Sequence, residues 1–370
     1  MSKSQSVIYG EYLKLETLLS CQQTVSEKLL PEPAHDEMLF IVIHQAYELW
    51  FKQILHELTS VIEMFDKEFI DEQNIGIAVA RLHRIMEIEK LMIKQIDVLE
   101  TMTPLDFLDF RHLLIGASGF QSGQFRLIEN FFGLRPTDRL NYTNCPYHAE
   151  FNEREKKSVI AAEESPNLFS VLDDWLARTP FLDTGEFNFV EAYGDVFREK
   201  MALERKEINA NARLSDEEQQ TRLKMIDGTE KYVFSMLDEN SYNRIRKDGH
   251  VRFSYKAFMA AVFINLYRDQ PILHLPFQLL SNTLEVDEYL NLWRHRHALM
   301  VHRMIGSKMG TGGSKGHEYL QATTESHRVF TDLFNLSTLL ISRSELPVLP
   351  ESLRRQLGFY HTYSATTGKN

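Results

Sequence analysis

The sequence predicts an all-α fold, and three observations carry that expectation. Apolar residues recur at three- and four-residue spacing along most of the chain. Alternating patterns between turn dipeptides are nearly absent. The 370 residues, 43% of them hydrophobic, are enough for a sizeable core. Residues 36–66 predict one long amphipathic helix, and a second covers about 72–100, where Leu82, Ile85, Ile88 and Leu91 keep the beat. Pro104 opens a third, "PLDFLDFRHLL", at a position where its missing N–H is harmless. From Phe132 to about Glu153, two prolines and several turn formers predict an ordered loop. Residues 202–226 are strongly charged and predict an exposed helix or insertion. Helices resume at 252–268, 284–305 and 317–341, and the tail over 345–370 is expected to be partly ordered. Neither a repeat nor a linker is visible, so a single domain over 1–370 is expected.

Charge and composition exclude several functions. A net charge of −11 disfavours nucleic acid and anionic membrane as partners. Cys21 and Cys145 cannot form a disulfide framework and suit a reducing compartment. The longest apolar stretches are too short to span a bilayer, and no signal segment is visible, so a soluble, cytoplasmic protein is expected.

The stretch "RHRHALMVHRMIGSKMGTGGSKG", residues 294–316, holds three histidines and a glycine-rich loop. On a helix, His295 and His297 point to nearly opposite sides and cannot share one ion. His297 shares its face with Trp293, Met300, Val301 and Met304, which leaves two readings open. It is either a core histidine or the single axial ligand of a haem in an apolar pocket. The loop lacks both phosphate-binding spacings and follows a helix, not a strand. Phe40, His44, Tyr47 and Phe51 form an aromatic stripe whose one readily ionisable member is His44. Phe107, Arg111, Leu114 and Ser118 recur at offsets of 4, 3 and 4, an apolar stripe interrupted by arginine. A guanidinium there needs an anion, either a protein carboxylate or a substrate carboxylate held by its planar fork. Glu-x-x-His pairs for two irons, HExxH and GxSxG are all missing.

Taken together, "YGEYLKLETLL", "HDEMLFIVIHQAYELWFKQI", "DFRHLLIGASGFQSGQFRLIEN", "PFQLL", "RHALMVHRMIGSKMGTGGSKGHEYL" and "FTDLFNLSTLLI" resemble the tryptophan 2,3-dioxygenase family, in that order, from about Tyr9 to Ile341. The resemblance implies a helical-bundle haem domain with a charged helical insertion at about 190–250, assembled as a homotetramer (a dimer of dimers). It implies haem b, ferrous when active, and oxidative cleavage of the indole ring of L-tryptophan by O2 to N-formylkynurenine. By matched position, His297 is the axial iron ligand, and His44 is the distal histidine that meets the indole N–H. Phe40, Phe107 and Leu114 match pocket residues, while Ser118 and Gly119 match the haem edge. Arg111 matches the residue that pairs with the substrate carboxylate, and Thr311 matches the one that closes over the amino-acid end. Tyr9 and Tyr12 match tyrosines that reach a neighbouring subunit's site. Gly123, the Ile115-Gly116 pair and Lys315 depart from the common family pattern. The same residues would serve a haem monooxygenase acting on tryptophan or a substituted indole, or a non-catalytic haem or tryptophan sensor.

Overall fold

The computed structural model of the chain describes residues 7–140, 146–149, 151–308 and 316–359. Its regular structure is helical, and β structure among these residues is confined to an isolated antiparallel bridge between Asp183 and Asn188. Three short helices come first, α1 (Tyr9–Tyr12), α2 (Leu15–Leu19) and α3 (Ser26–Leu29). Two long ones follow, α4 (Glu37–Phe65) and α5 (Glu72–Leu99), then α6 (Pro104–Arg111), α7 (Gly123–Phe132), α8 (Glu153–Glu164) and α9 (Leu168–Ala177). The next are α10 (Phe189–Ala210), α11 (Asp216–Leu237), α12 (Glu239–Lys247) and α13 (Tyr255–Leu266). The 35-residue α14 (Pro271–Ile305) precedes α15 (Gly316–Ser326), α16 (Thr331–Asn335) and α17 (Glu351–Leu357).

Local chemistry explains several of these boundaries. Thr103 and Asp106 form a reciprocal capping box at the start of α6, with Pro104 at its first position. Gly133, at φ 113°, ends α7 in the left-handed conformation that favours glycine. The sequence predicts a helix beginning at 284, but α14 starts thirteen residues earlier and carries Pro276 inside it. That proline masks the continuity, because it forfeits one intrahelical bond yet leaves the flanking apolar beat intact. The expected 317–341 helix is split after Ser326, where the Asp287 carboxylate accepts hydrogen bonds from the backbone of Val329 and Phe330.

The chain divides into two compact units where the sequence leads one to expect a single domain. Three of the divisions, at Thr59/Ser60, His83/Arg84 and Asp287/Glu288, fall inside helices. No turn residue or polar linker marks them in the sequence. The first unit comprises Met1–Thr59, Arg84–Ser165 and Glu288–Arg328. Its core includes Ile43, Tyr47, Phe51, Leu58, Met92, Ile96, Phe110, Ile128 and Val159, and the buried Tyr47 hydroxyl donates to the Met92 carbonyl at 2.9 Å.

The second unit comprises Ser60–His83, Pro166–Asp287 and Val329–Asn370. Helices α10 and α11 form an antiparallel pair, with Gly194 near Phe234 and Leu237 and Arg205 paired to Asp227 and Glu230. The charged stretch read as an exposed insertion is this helical hairpin. Buried tyrosines satisfy their hydroxyls on backbone carbonyls: Tyr193 on Leu339 at 2.6 Å, Tyr242 on Phe253 at 3.0 Å and Tyr267 on Pro347 at 2.7 Å. In the expected tail, Leu349, Leu353 and Leu357 are buried, while 360–370 lie outside the described residues.

Candidate active site

The first unit holds a largely apolar cavity of about 310 Å³. One wall comes from α4. Its 3.6-residue period turns Phe40, His44, Tyr47 and Phe51 to the same side, and all four line the cavity. Phe40 and His44 have ring centroids 4.0 Å apart, and Phe107 of α6 stacks on Phe40 at 5.8 Å. His44 Nδ1 lies 2.7 Å from the Phe40 carbonyl oxygen. A carbonyl only accepts, so this nitrogen carries the proton and Nε2 is left as an acceptor. Burial pushes the His44 pKa down, against the opposing pull of the Phe40 carbonyl and Glu48. The surface that His44 still exposes is that of a cavity wall, and its imidazole is neutral near pH 7.

The opposite chemistry comes from α14. Trp293 is held edge-on by Tyr47 and Phe51 and tilted against Phe125, with centroids 5.8, 6.1 and 5.3 Å away. One turn on, His297 lies parallel to the Trp293 indole, 5.3 Å away at an interplanar angle of 9°. Burial brings its pKa from 6.5 to about 4, His44 adds a smaller push, and no hydrogen bond contributes. Met300, Val301, Met304 and Ile305 complete this wall.

Arg111 is half-buried at the cavity, at the last position of α6. Beyond it the predicted stripe fails. A 3-10 turn covers His112–Leu114, Ile115 is extended and Gly116 takes φ 89°. Leu114 is therefore not among the lining residues, and Ser118 reaches the cavity from a separate turn, capping Phe120 N. Gly119 also lines it, and a Cβ built there would meet, among the described residues beyond its chain neighbours, no atom within 4 Å. Tyr9 and Tyr12 sit on α1, each 73% exposed, away from the cavity lining. Thr311 lies outside the described residues. His302 is exposed and its ring packs on His317 at 4.1 Å.

One group of lining residues escapes the sequence reading. Glu129 of α7, 1% exposed, accepts from Arg126 at 2.9 Å and Arg139 at 2.6 Å on one oxygen. Its other oxygen accepts from Arg294 at 3.0 Å and His327 Nδ1 at 3.3 Å. Burial opposes ionisation here, but Arg139 and Arg126, with His327 and Arg294, hold the carboxyl well below its usual range. The signal was present: Glu129 interrupts the apolar face of Phe125, Ile128 and Phe132, just as Arg111 interrupts its own.

Among the described residues, no three His, Cys, Asp or Glu side chains are grouped to hold a metal ion, and no helix is long and apolar enough to cross a membrane. Comparison with known proteins gives one consistent result. The family model described as tryptophan 2,3-dioxygenase matches residues 1–340. A tryptophan 2,3-dioxygenase of Bdellovibrio bacteriovorus is 46% identical over 359 residues, 97% of this chain and 100% of the relative. Enzymes of the same name from Dictyostelium discoideum and Xenopus laevis are each 44% identical, over 97% and 95% of this chain and 90% and 86% of their own lengths.

Proposed function

The chain belongs to the tryptophan 2,3-dioxygenase family, and from that premise we propose that it cleaves the indole C2–C3 bond of L-tryptophan with O2, giving N-formylkynurenine. The observation that carries this reading is the convergence of His44, Arg111 and His297 on one apolar cavity.

The residues present fit haem b. His297 offers a neutral imidazole on a wall of Trp293, Met300 and Met304, and among the described residues no group of three His, Cys, Asp or Glu side chains is placed to hold a bare ion. A metal held there would have to bring its other ligands with it, as a porphyrin does. Gly119 adds a second sign. Neither its backbone conformation nor the packing of the described residues around it demands glycine, whereas a flat ligand pressed on that backbone would. Haem bound at His297 would supply ferrous iron for oxygen activation, with Ser118 and Gly119 at its edge.

The chain's own residues do the rest. His44, with its Nδ1 proton committed to the Phe40 carbonyl, presents Nε2 as an acceptor for the indole N–H. Arg111 pairs with the substrate carboxylate through its planar fork. Phe40 and Phe107, stacked on each other with centroids 5.8 Å apart, form an apolar wall that orients the ring and excludes water. Thr311 is assigned to the amino-acid end by resemblance alone.

The proposal extends to the assembly and the setting. A homotetramer is supported by the exposed apolar side chains of Val7, Ile8, Tyr9, Tyr12 and Leu19, which a partner subunit would cover. A cytoplasmic setting is supported by Cys21, an exposed free thiol. The test is to incubate the haem-loaded, reduced protein with L-tryptophan and labelled O2 and weigh the product. Two labelled oxygens in a ring-opened product support the reading. One in an intact indole would mean a monooxygenase, and no product despite bound haem would mean a sensor.

A further inference from the structure

We infer that Glu129 is a positioning residue for the His297 turn, an inference that rests on reading His297 as the axial ligand. Its carboxylate joins four separate pieces of the unit. Arg126 is on its own helix, Arg139 lies on the loop after α7, His327 follows α15, and Arg294 belongs to α14. Only the last of these is one turn from His297, at the i, i+3 spacing that places two side chains on neighbouring parts of a helix surface. The turn from 293 to 297 is thus gripped twice. Trp293 is wedged among Tyr47, Phe51 and Phe125. Arg294, 6% exposed, donates to Glu129 at 3.0 Å and to the His327 carbonyl at 3.4 Å. The aromatic wedge fixes how deep the turn sits. The directional charge-assisted bond fixes its rotation about the helix axis, and with it the line along which the His297 ring faces the cavity. Residues outside the ligand set that hold a ligand's orientation tune its bond to the metal.

Removing the carboxylate outright would leave three buried guanidiniums without their anion, so Glu129→Gln risks unfolding the protein. Two milder variants divide the question. Arg294 and Arg139 each bridge Glu129 to a second acceptor, the His327 carbonyl and the Asn130 side chain respectively. Arg294→Lys and Arg139→Lys therefore each keep the charge but lose the bridge, one on the helix of His297 and one on a loop. Each is prepared as full-length haem protein, and two quantities are read. They are the iron–imidazole stretching band of the ferrous, substrate-free form and the rate of haem transfer to an acceptor globin. Both variants should lower the denaturation midpoint. Only Arg294→Lys should shift the band to lower frequency and speed haem loss, on the order of tenfold. An unmoved band in Arg294→Lys, or an equal shift in Arg139→Lys, would reduce the cluster to plain structure and overturn the inference. If the wild-type band is absent, or survives in His297→Ala, the ligand reading itself fails and takes this inference with it.

Discussion

The imidazole of His297 lies 5.3 Å from the indole of Trp293 and within 9° of parallel to it. A parallel neighbour one turn away restricts ring rotation without using either nitrogen. The imidazole is thereby held in plane while a nitrogen stays available for ligation. Trp293→Ala should therefore act on two levels. Loss of a buried indole should destabilise the protein by about 3–5 kcal/mol, and the haem that remains bound should show a broadened iron–imidazole signature. Denaturant titration and resonance Raman spectra of the same sample would check both. A normal signature in a destabilised variant would confine Trp293 to packing.

Arg111→Lys tests the carboxylate clamp. The lysine keeps the charge but loses the fork, so KM for L-tryptophan should rise on the order of tenfold, equivalent to about 1.4 kcal/mol of binding. Tryptamine, which has no carboxylate, should be affected much less. Equal losses for the two compounds would assign Arg111 to folding or to a protein partner.

Gly119→Ala should separate stability from ligand binding. Among the described residues beyond its chain neighbours the added methyl meets no atom within 4 Å, and the glycine is not in a left-handed conformation. The substitution should stabilise the haem-free chain by about 0.4–1 kcal/mol, through the unfolded state. Haem affinity should fall at the same time if the cofactor presses on this backbone. Parallel changes in both quantities would remove Gly119 from the cofactor edge.

Acid should weaken the haem-free protein through His297. Its pKa is brought from 6.5 to about 4 in the folded chain. Between those values the unfolded chain binds the extra proton and the folded chain does not, so stability falls as the pH drops from about 6.5 toward 4. His44, shifted in the same direction, adds to this slope. Denaturation midpoints across that window should fall less steeply in His297→Phe than in wild type. Identical slopes would place the acid sensitivity elsewhere.

Much of this site is legible in the sequence, and the parts that are not share a physical cause. Phe40, His44, Trp293 and His297 could be placed on faces because α4 and α14 are long and regular, so a residue number converts directly to an angle. Leu114 and Ser118 could not, because the chain leaves the α-helix after Arg111 and a 3-10 turn followed by Gly116 resets the direction of every later side chain. Pro276 hid the first third of α14 for a related reason, since a local penalty outweighed an uninterrupted pattern. The Glu129 cluster was hidden differently. Its four partners come from positions 126 to 327, and nothing in a one-dimensional pattern says which buried charges meet.

The dispersal of the lining residues has a consequence for how the protein is made. The cavity draws on side chains from Phe40 to His327, and His297 arrives after four-fifths of the chain. A ribosome that has released the first three helices, or even the first thirteen, has not yet produced the cavity wall that carries His297. Phe107, Phe110 and Phe125, which meet Phe40 and Phe51, are made well before α14, so part of this wall can form early. The side of Tyr47 and Phe51 that meets Trp293 stays bare until α14 appears. If His297 holds haem as proposed, the cofactor can be captured only late, after most of the polypeptide has been made.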